Sequence, residues 1–176
     1  MIKKTELIKK CRKIKLIISD VDGVLTDGGM YYGKTGEIMK KFNTRDGMGV
    51  SLISDKVKIN LMTRENSEIV LRRAKKMKVD HVYMGIEDKE LLLPEICKKY
   101  KILKEEVAYI GDDVNDLKIM KRVGLSIAPN DANRKIRDIA DYICKTKGGQ
   151  GVLREFTELI LSTYNLRRPI KEKDNR

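Results

Sequence analysis

The sequence predicts an α/β protein with a doubly wound, Rossmann-like parallel sheet and helices on both faces. Short β-rich apolar runs alternate with helical patterns along most of the chain. Two of these runs end in clusters of acidic residues, as strands that open into a crevice often do. A chain of 176 residues, 41% of them hydrophobic, is long enough for one core. We therefore expect one domain over residues 1–166 and a basic tail over 167–176.

The predicted elements follow one another in regular order. A short amphipathic helix is expected over residues 5–14, where Leu7, Cys11 and Ile14 recur at helical spacing. The predicted strands are 16–20, 58–62, 81–84, 107–110, 125–128 and 142–144. The predicted helices are 47–55, 66–77, 88–100, 113–122, 132–138 and 151–163. Residues 29–42 break the alternation, because two short strands around a turn bounded by glycines predict a protruding β-hairpin.

The net charge of +12 lies mostly at the two ends of the chain. Residues 1–16 carry seven basic residues and one acid, and residues 167–176 carry five basic residues and two acids. The ends thus hold nine of the twelve net charges, and the body between them lacks Trp and shows no aromatic residues interleaved with basic ones. That distribution does not favour nucleic-acid binding, so we expect no nucleic-acid partner.

Cysteine usage and hydropathy indicate the cellular compartment. The three cysteines are widely spaced and contain no CxxC pair, so neither a disulfide framework nor a zinc site is expected. The lysine-rich N-terminus lacks the apolar stretch of a signal peptide. No apolar run reaches the roughly 18 residues that a membrane span needs. We expect a cytoplasmic protein without a membrane partner.

Two acidic clusters follow predicted strands. Asp20 and Asp22 come at the end of the first strand, and the segment 111–116 after the fourth contains Asp112, Asp113 and Asp116. Each could consist of ordinary turn residues. Because carboxyl ends of parallel strands share one edge of a sheet, however, we expect the two clusters to face each other, which requires a cation. Oxygen ligands without nearby His or Cys predict Mg²⁺.

Thr63 and Lys89 follow two further strands. A hydroxyl, an ammonium group, Mg²⁺ and a carboxylate nucleophile are the groups that phosphoryl transfer requires. We expect Asp20 to attack in line, Thr63 to donate a hydrogen bond and Lys89 to neutralise phosphoryl oxygens. Taken singly, Thr63 could instead be a helix N-cap and Lys89 a solvated lysine. Because all of these groups follow predicted strands, a shared catalytic role is favoured over separate structural roles.

These residues resemble the four motifs of the haloacid dehalogenase-like phosphatases, in the same order. The resemblance covers residues 16 to about 160. It implies that Asp20 forms an aspartyl-phosphate and that Asp22 protonates the leaving alkoxide and then activates water. It also implies that Mg²⁺ is held by the Asp20 carboxylate, the Asp22 backbone carbonyl and Asp112, with Asp113 or Asp116 as outer-shell support.

The chain resembles the capless branch of that superfamily, which includes phosphatases of 3-deoxy-D-manno-octulosonate 8-phosphate (KDO 8-phosphate) and of nine-carbon 9-phosphates. The resemblance rests on segments 20–28, 42–49, 111–116 and 148–151. It implies homotetramers in which the hairpin and the C-terminal segment reach a neighbour's active site, and sugar contacts from Asn43, Thr44, Arg45, Asp46 and Gly47. We expect Asp46 to be a helix N-cap; an ordinary cap without a sugar contact is the alternative.

One departure concerns the substrate. Where octulosonate phosphatases typically have Thr-Gly-Arg, this chain has Thr63-Arg64-Glu65. Glu65 followed by Arg73 and Lys76 resembles the nine-carbon enzymes, and the latter two share a face of the predicted helix, where they could meet a substrate carboxylate. A solvated basic face is the alternative reading.

Two other classes of function compete with a Mg²⁺-dependent sugar-acid phosphatase. A receiver-like signalling domain also places acids, a Thr and a Lys on a doubly wound sheet, but it has no acidic cluster after the Lys. A non-catalytic tetramerisation or regulatory domain, associated with a sialic-acid activating enzyme, would keep the fold and usually lose motif residues. This chain keeps the residues of all four motifs.

Overall fold

The computed structural model describes residues 2–165. A six-stranded parallel sheet has the order β5-β4-β1-β6-β7-β8, which confirms the predicted doubly wound class. The strands are β1 (Leu16–Ser19), β4 (Lys58–Met62), β5 (His81–Tyr83), β6 (Val107–Ile110), β7 (Leu125–Ala128) and β8 (Tyr142–Ile143). The predicted basic tail at 167–176 lies outside the described residues.

Helices cover both faces of the sheet. They are α1 (Lys4–Cys11), α2 (Thr44–Ile53), α3 (Glu68–Met77), α4 (Lys89–Tyr100), α5 (Leu117–Met120), α6 (Arg134–Ile139) and α7 (Val152–Asn165). The helix predicted at 113–122 is divided, because a 3₁₀ turn over Val114–Asp116 precedes α5. Within residues 2–165, no helix is both long and apolar enough to cross a membrane.

Alternating residues of the central strands pack into two separate cores. Ile17 of β1 packs on one side with residues of α2, α3 and α7, whereas Leu16 and Ile18 pack on the other side with residues of α4, α5 and α6. Every residue of β1 and β6 is buried, as expected for strands in the middle of a parallel sheet with helices on both faces. The middle of the sheet is therefore a rigid base for the loops that follow β1 and β6.

The predicted hairpin is present as β2 (Tyr31–Gly33) and β3 (Gly36–Met39), paired antiparallel apart from the main sheet. It carries a row of exposed large apolar side chains, namely Met30, Tyr31, Tyr32, Ile38 and Met39. Such a group of apolar side chains on a small element commonly marks an interaction surface.

The start of α2 corrects one prediction. Asn43, not Asp46, is the N-cap, and its side-chain oxygen accepts a hydrogen bond from the Arg45 backbone N–H at 3.0 Å. Asp46 lies in the first turn and is buried against α7, where its carboxylate accepts a hydrogen bond from the Arg154 backbone N–H at 3.1 Å. The sequence did not reveal this role, because it depends on a helix that begins more than a hundred residues later.

Candidate active site

The loops after β1 and β6 bring the two predicted acidic clusters together. One oxygen each of Asp20, Asp112 and Asp116 lies within 4.8 Å of the others. Asp20 extends β1, since its backbone N–H donates to the carbonyl of Ile110 at 2.9 Å. The expectation that both clusters share one edge of the sheet is therefore correct.

Lys89 lies between two of these carboxylates. Its side chain is fully buried, and its Nζ is 2.7 Å from Asp20 Oδ2 and 2.8 Å from Asp116 Oδ1. Burial alone would lower the pKa of Lys89, but the two carboxylates raise it. The alternative of a solvated lysine is excluded, and Lys89 is a permanent cation that positions Asp20.

The site carries more negative charge than Lys89 can neutralise. Burial and the neighbouring Asp116 raise the pKa of Asp20 well above its usual range. Burial, followed by Asp116 and Asp113, raises the pKa of Asp112 to about 7. A divalent cation would remove this repulsion, and carboxylate oxygens are the ligands that Mg²⁺ prefers. The donor set therefore fits a hard divalent cation held by Asp20 and Asp112.

Asp116 lies beneath this cluster and holds it in place through hydrogen bonds, rather than lining the cleft. Its Oδ1 accepts hydrogen bonds from Lys89 and from the Tyr109 hydroxyl at 2.7 Å, and its Oδ2 accepts one from the Asp112 backbone N–H at 3.1 Å. Asp113 is exposed and caps the following turn through Val114 N–H at 2.8 Å. Of the two supporting acids considered from the sequence, Asp116 is the one built into the cluster.

A close approach of backbone to carboxylate shapes the site at Gly23. Gly23 has φ +80°, and a Cβ there would collide with the Asp112 carboxylate. The Gly23 carbonyl oxygen lies so close to Gly148 that a Cβ at Gly148 would collide with it. Only glycine allows these three segments to meet, which brings the 148–151 loop against the loop that carries Asp20 and Asp22.

Thr63 and Glu65 complete the walls of a cleft of about 290 Å³. Besides Asp20, Asp22 and Asp112, its lining residues include Thr63, Arg64, Glu65, Met30 and Asn115. Thr63 is buried and is not the N-cap of α3, since that position belongs to Ser67. Its hydroxyl oxygen accepts from the Glu65 backbone N–H at 3.1 Å, so its hydroxyl hydrogen is available to a ligand.

Asp22 lies at the edge of this cleft beneath the hairpin. Its Oδ1 accepts a hydrogen bond from Lys40 Nζ at 2.6 Å and one from the Thr26 hydroxyl at 3.3 Å. The sequence did not reveal the roles of Lys40 and of Tyr109 beneath Asp116. The signal for Lys40 was the pair Lys40-Lys41 at the end of a two-stranded hairpin, where alternation turns one of two neighbours inward.

The predicted sugar-contacting segment lies apart from the cleft. Arg45 lines a separate pocket of about 400 Å³ next to the start of α7, with Gln150 and Arg154. Asn43 donates to the Gly149 carbonyl at 3.3 Å, Thr44 is exposed, and a Cβ on Gly47 would contact Arg73. Within one copy of the chain, residues 43–47 therefore do not line the cleft that holds Asp20.

The predicted specificity residues are also divided. Glu65 lines the cleft and is exposed. Arg73 points to the start of α2, where its Nη2 donates to the Asn43 carbonyl at 2.6 Å and its guanidinium lies 5.7 Å from the centre of the Phe42 ring. Lys76 is exposed on α3. One chain thus does not bring the three residues into one site.

Comparisons with known proteins agree with this arrangement. A family profile described as haloacid dehalogenase-like hydrolase matches residues 50–156. The 3-deoxy-D-manno-octulosonate 8-phosphate phosphatase KdsC of Escherichia coli K12 is 39% identical over 158 residues, which cover 89% of this chain and 84% of that protein.

Solved structures give the same picture. The 3-deoxy-D-manno-octulosonate 8-phosphate phosphatase of Moraxella catarrhalis, in complex with magnesium, phosphate and KDO, aligns with a TM-score of 0.88 and 36% identity over 93% of this chain and 94% of that one. The cobalt-bound enzyme of Haemophilus influenzae aligns with a TM-score of 0.86 and 34% identity over 89% and 92%.

Proposed function

The chain belongs to the haloacid dehalogenase-like hydrolases and is a phosphoric monoester hydrolase, and from this premise we propose that it is a Mg²⁺-dependent phosphatase of KDO 8-phosphate. The observation that carries the proposal is the cluster of Asp20, Lys89, Asp112 and Asp116, two of which, Asp20 and Asp112, line the same cleft as Asp22 and Thr63. The similarity to KDO 8-phosphate phosphatases over nearly the whole chain supports this substrate.

The cluster suits covalent phosphoryl transfer. Lys89 holds one oxygen of Asp20 and the Val21 backbone N–H holds the other at 2.7 Å, so the carboxylate is oriented before substrate binds. The carboxylates of Asp20 and Asp112 and the backbone carbonyl of Asp22 would hold Mg²⁺. When bound, this ion supplies positive charge that neutralises the oxygens of the phosphoryl group.

The reaction proceeds in two displacements. An oxygen of Asp20 forms a bond to phosphorus while the bond from phosphorus to the sugar oxygen breaks, and Asp22 gives that oxygen a proton. A water molecule then attacks the phosphorus, Asp22 takes its proton, and inorganic phosphate leaves as the Asp20 carboxylate is restored. Thr63 donates a hydrogen bond to a phosphoryl oxygen during both steps.

A nine-carbon 2-keto-3-deoxy sugar acid 9-phosphate, such as that of KDN or an N-acylneuraminate, is the second candidate substrate. The observation that favours it is Glu65 in the wall of the cleft, in a position where octulosonate phosphatases typically have another residue. Arg64 also lines the cleft, but its guanidinium pairs with Glu87 at 2.7 Å. Arg73 and Lys76 would belong to this specificity set only if another subunit supplied them.

The assembly proposed with this function is a cytoplasmic homotetramer with shared active sites. The exposed apolar side chains of the hairpin support it, because a capless cleft needs a cover and these side chains need a partner. In such an assembly, residues 43–47 of one subunit could contact the sugar bound to another, which would reconcile their distance from the cleft of their own chain. An active monomer in sedimentation at assay concentration would refute the shared site.

The test is phosphate release by the purified protein with and without Mg²⁺, comparing kcat/KM for KDO 8-phosphate and for nine-carbon 9-phosphates. Preference for the eight-carbon ester supports the proposal. Preference for the nine-carbon esters would identify Glu65, Arg73 and Lys76 as the residues that determine substrate specificity. Activity on neither, with the metal bound, favours another phosphorylated substrate or the non-catalytic regulatory role.

A further inference from the structure

A buried lysine lies beneath the hairpin, outside the four motifs. The side chain of Lys40 is fully buried, and its Nζ lies 2.6 Å from Asp22 Oδ1 and 2.8 Å from Glu37 Oε1. An ammonium group removed from water is costly unless it is paired. Two acids satisfy Lys40, and one of them is the proposed proton donor. The lysine is therefore held as a paired cation beside Asp22.

The second acid anchors the lysine to another segment of the cleft. Glu37 Oε2 accepts a hydrogen bond from the Ser67 hydroxyl at 2.6 Å. Ser67 is buried and lies at the start of α3, directly after the loop that carries Thr63 and Glu65. The hairpin is thereby tied to both sides of the cleft, and Lys40 cannot move without breaking these contacts.

The two oxygens of the Asp22 carboxylate have different environments. Oδ1 accepts from Lys40 and Thr26, whereas Oδ2 has no hydrogen-bond partner anywhere in residues 2–165. A carboxylate held through one oxygen keeps a single orientation and leaves the other oxygen free. Oδ2 is buried, and Asp22 lines the cleft, so Oδ2 is the oxygen left without a partner in the described part of the chain that could exchange a proton with a bound ligand.

We infer that Lys40 is a positioning residue for the reaction, which fixes Asp22 through Oδ1 so that Oδ2 delivers and receives the proton. This inference rests on the role of Asp22 in the proposed function. It places one determinant of catalysis on the hairpin stem of the same chain, distinct from any contact that the hairpin tip makes with a partner.

The leaving group separates this role from a purely structural one. The alkoxide of a sugar phosphate needs a proton as it departs, whereas the phenolate of p-nitrophenyl phosphate needs little help. A variant that misplaces Asp22 should therefore lose kcat/KM mainly with the sugar phosphate. A variant that merely reduces the amount of correctly folded protein loses kcat/KM equally with both esters.

The experiment compares Lys40→Met with Lys41→Met on KDO 8-phosphate and on p-nitrophenyl phosphate. Lys41 is the matched control, because it is the neighbouring lysine but is exposed and, among residues 2–165, pairs only with Asp27. We expect Lys40→Met to lower kcat/KM about 100-fold with the sugar phosphate and less than about 5-fold with the aryl ester. Lys41→Met should stay within about twofold on both esters, and Lys40→Arg should recover about tenfold of the loss.

Two further variants separate the possible failures. Ser67→Ala removes the link between hairpin and α3 but leaves the contact between Lys40 and Asp22, so a loss as large as that of Lys40→Met would assign the effect to hairpin docking and overturn the inference. An equal loss on both esters, or wild-type activity in Lys40→Met, would also overturn it. Wild-type activity in Asp22→Asn would instead refute the proposed role of Asp22, and the inference with it.

Discussion

Two of the buried groups of charge within residues 2–165 differ in their charge balance. At the cleft, the carboxylates of Asp20, Asp112 and Asp116 lie together, and the one cation within residues 2–165 that pairs with them is Lys89, through Asp20 and Asp116. Between α2 and α7, the single carboxylate of Asp46 lies near the guanidinium of Arg73, which opposes the effect of burial on its pKa. The first cluster has excess negative charge, and the second is balanced.

This difference distinguishes a binding site from a structural contact. A protein that buries charge for stability alone pairs it within the chain, because an unpaired buried ion is costly. An excess of buried carboxylates persists where a cation from outside completes the cluster. Charge balance, rather than burial, therefore identifies the cleft as the place where chemistry happens.

Among the variants that test this difference between the two clusters, replacement of Asp20 should have the largest effect. Asp20→Asn keeps the size of the side chain but removes the nucleophile, so kcat should fall by at least about 10³-fold while circular dichroism stays unchanged. Because the substitution also removes one of three crowded negative charges, the free energy of unfolding should rise. Asp138→Asn, which changes an exposed carboxylate on α6, is the control. Substantial residual turnover in Asp20→Asn would rule out the covalent route.

Removing the cation of the cleft should cause the next largest effect. Lys89→Met leaves the buried carboxylates without an internal partner, and breaking such a pair costs about 3 to 5 kcal/mol of unfolding free energy at pH 7. Added Mg²⁺ should recover part of that loss in urea denaturation. A variant as stable as the wild type without Mg²⁺ would show that the cluster is not held together by charge.

The balanced cluster should show a smaller effect, visible in the pH dependence of stability. Burial raises the pKa of Asp46 to about 6 from its usual 3.8, so between pH 4 and pH 7 the unfolded state loses its proton first and ionisation favours unfolding. Asp46→Asn removes that penalty. Its unfolding free energy relative to the wild type should therefore increase by about 2 kcal/mol from pH 4 to pH 7.

Urea denaturation at fixed pH values measures this difference. Asp138→Asn again serves as the control, because that carboxylate is exposed and should give a flat difference between variant and wild type. A flat difference for Asp46→Asn as well would mean that Arg73 already holds the buried carboxylate ionised at no cost.

The sequence alone predicted the fold class, the six strands and the joining of the two acidic clusters. These features depend on local patterns that repeat along the chain, such as apolar runs followed by acids. The boundaries were less accurate: α2 begins at Thr44 rather than 47, because Asn43 caps it, and α3 begins at Glu68 rather than 66, because the backbone is still extended at Ser67.

The features that the sequence did not reveal depend on contacts between distant segments. Asp46 looks like a helix cap until α7 is placed against it, and the inward side chain of Lys40 is indistinguishable from that of Lys41 until the hairpin is folded over Asp22. Tyr109 looks like an ordinary apolar residue of a buried strand, although its hydroxyl holds Asp116. Tertiary placement, not local propensity, assigned each of these roles.

The position of β1 within the sheet also governs how the molecule can fold. Leu16 of β1 is paired with Lys58 of β4 on one side and with Val107 of β6 on the other. Both partners of the first strand therefore come from far along the chain. Pairings at such sequence separation require closure of long loops and form slowly. During synthesis, the strand that carries Asp20 stays unpaired on one side until the ribosome has passed residue 110. Asp20 therefore cannot meet Asp112 and Asp116 before β6 has been synthesised.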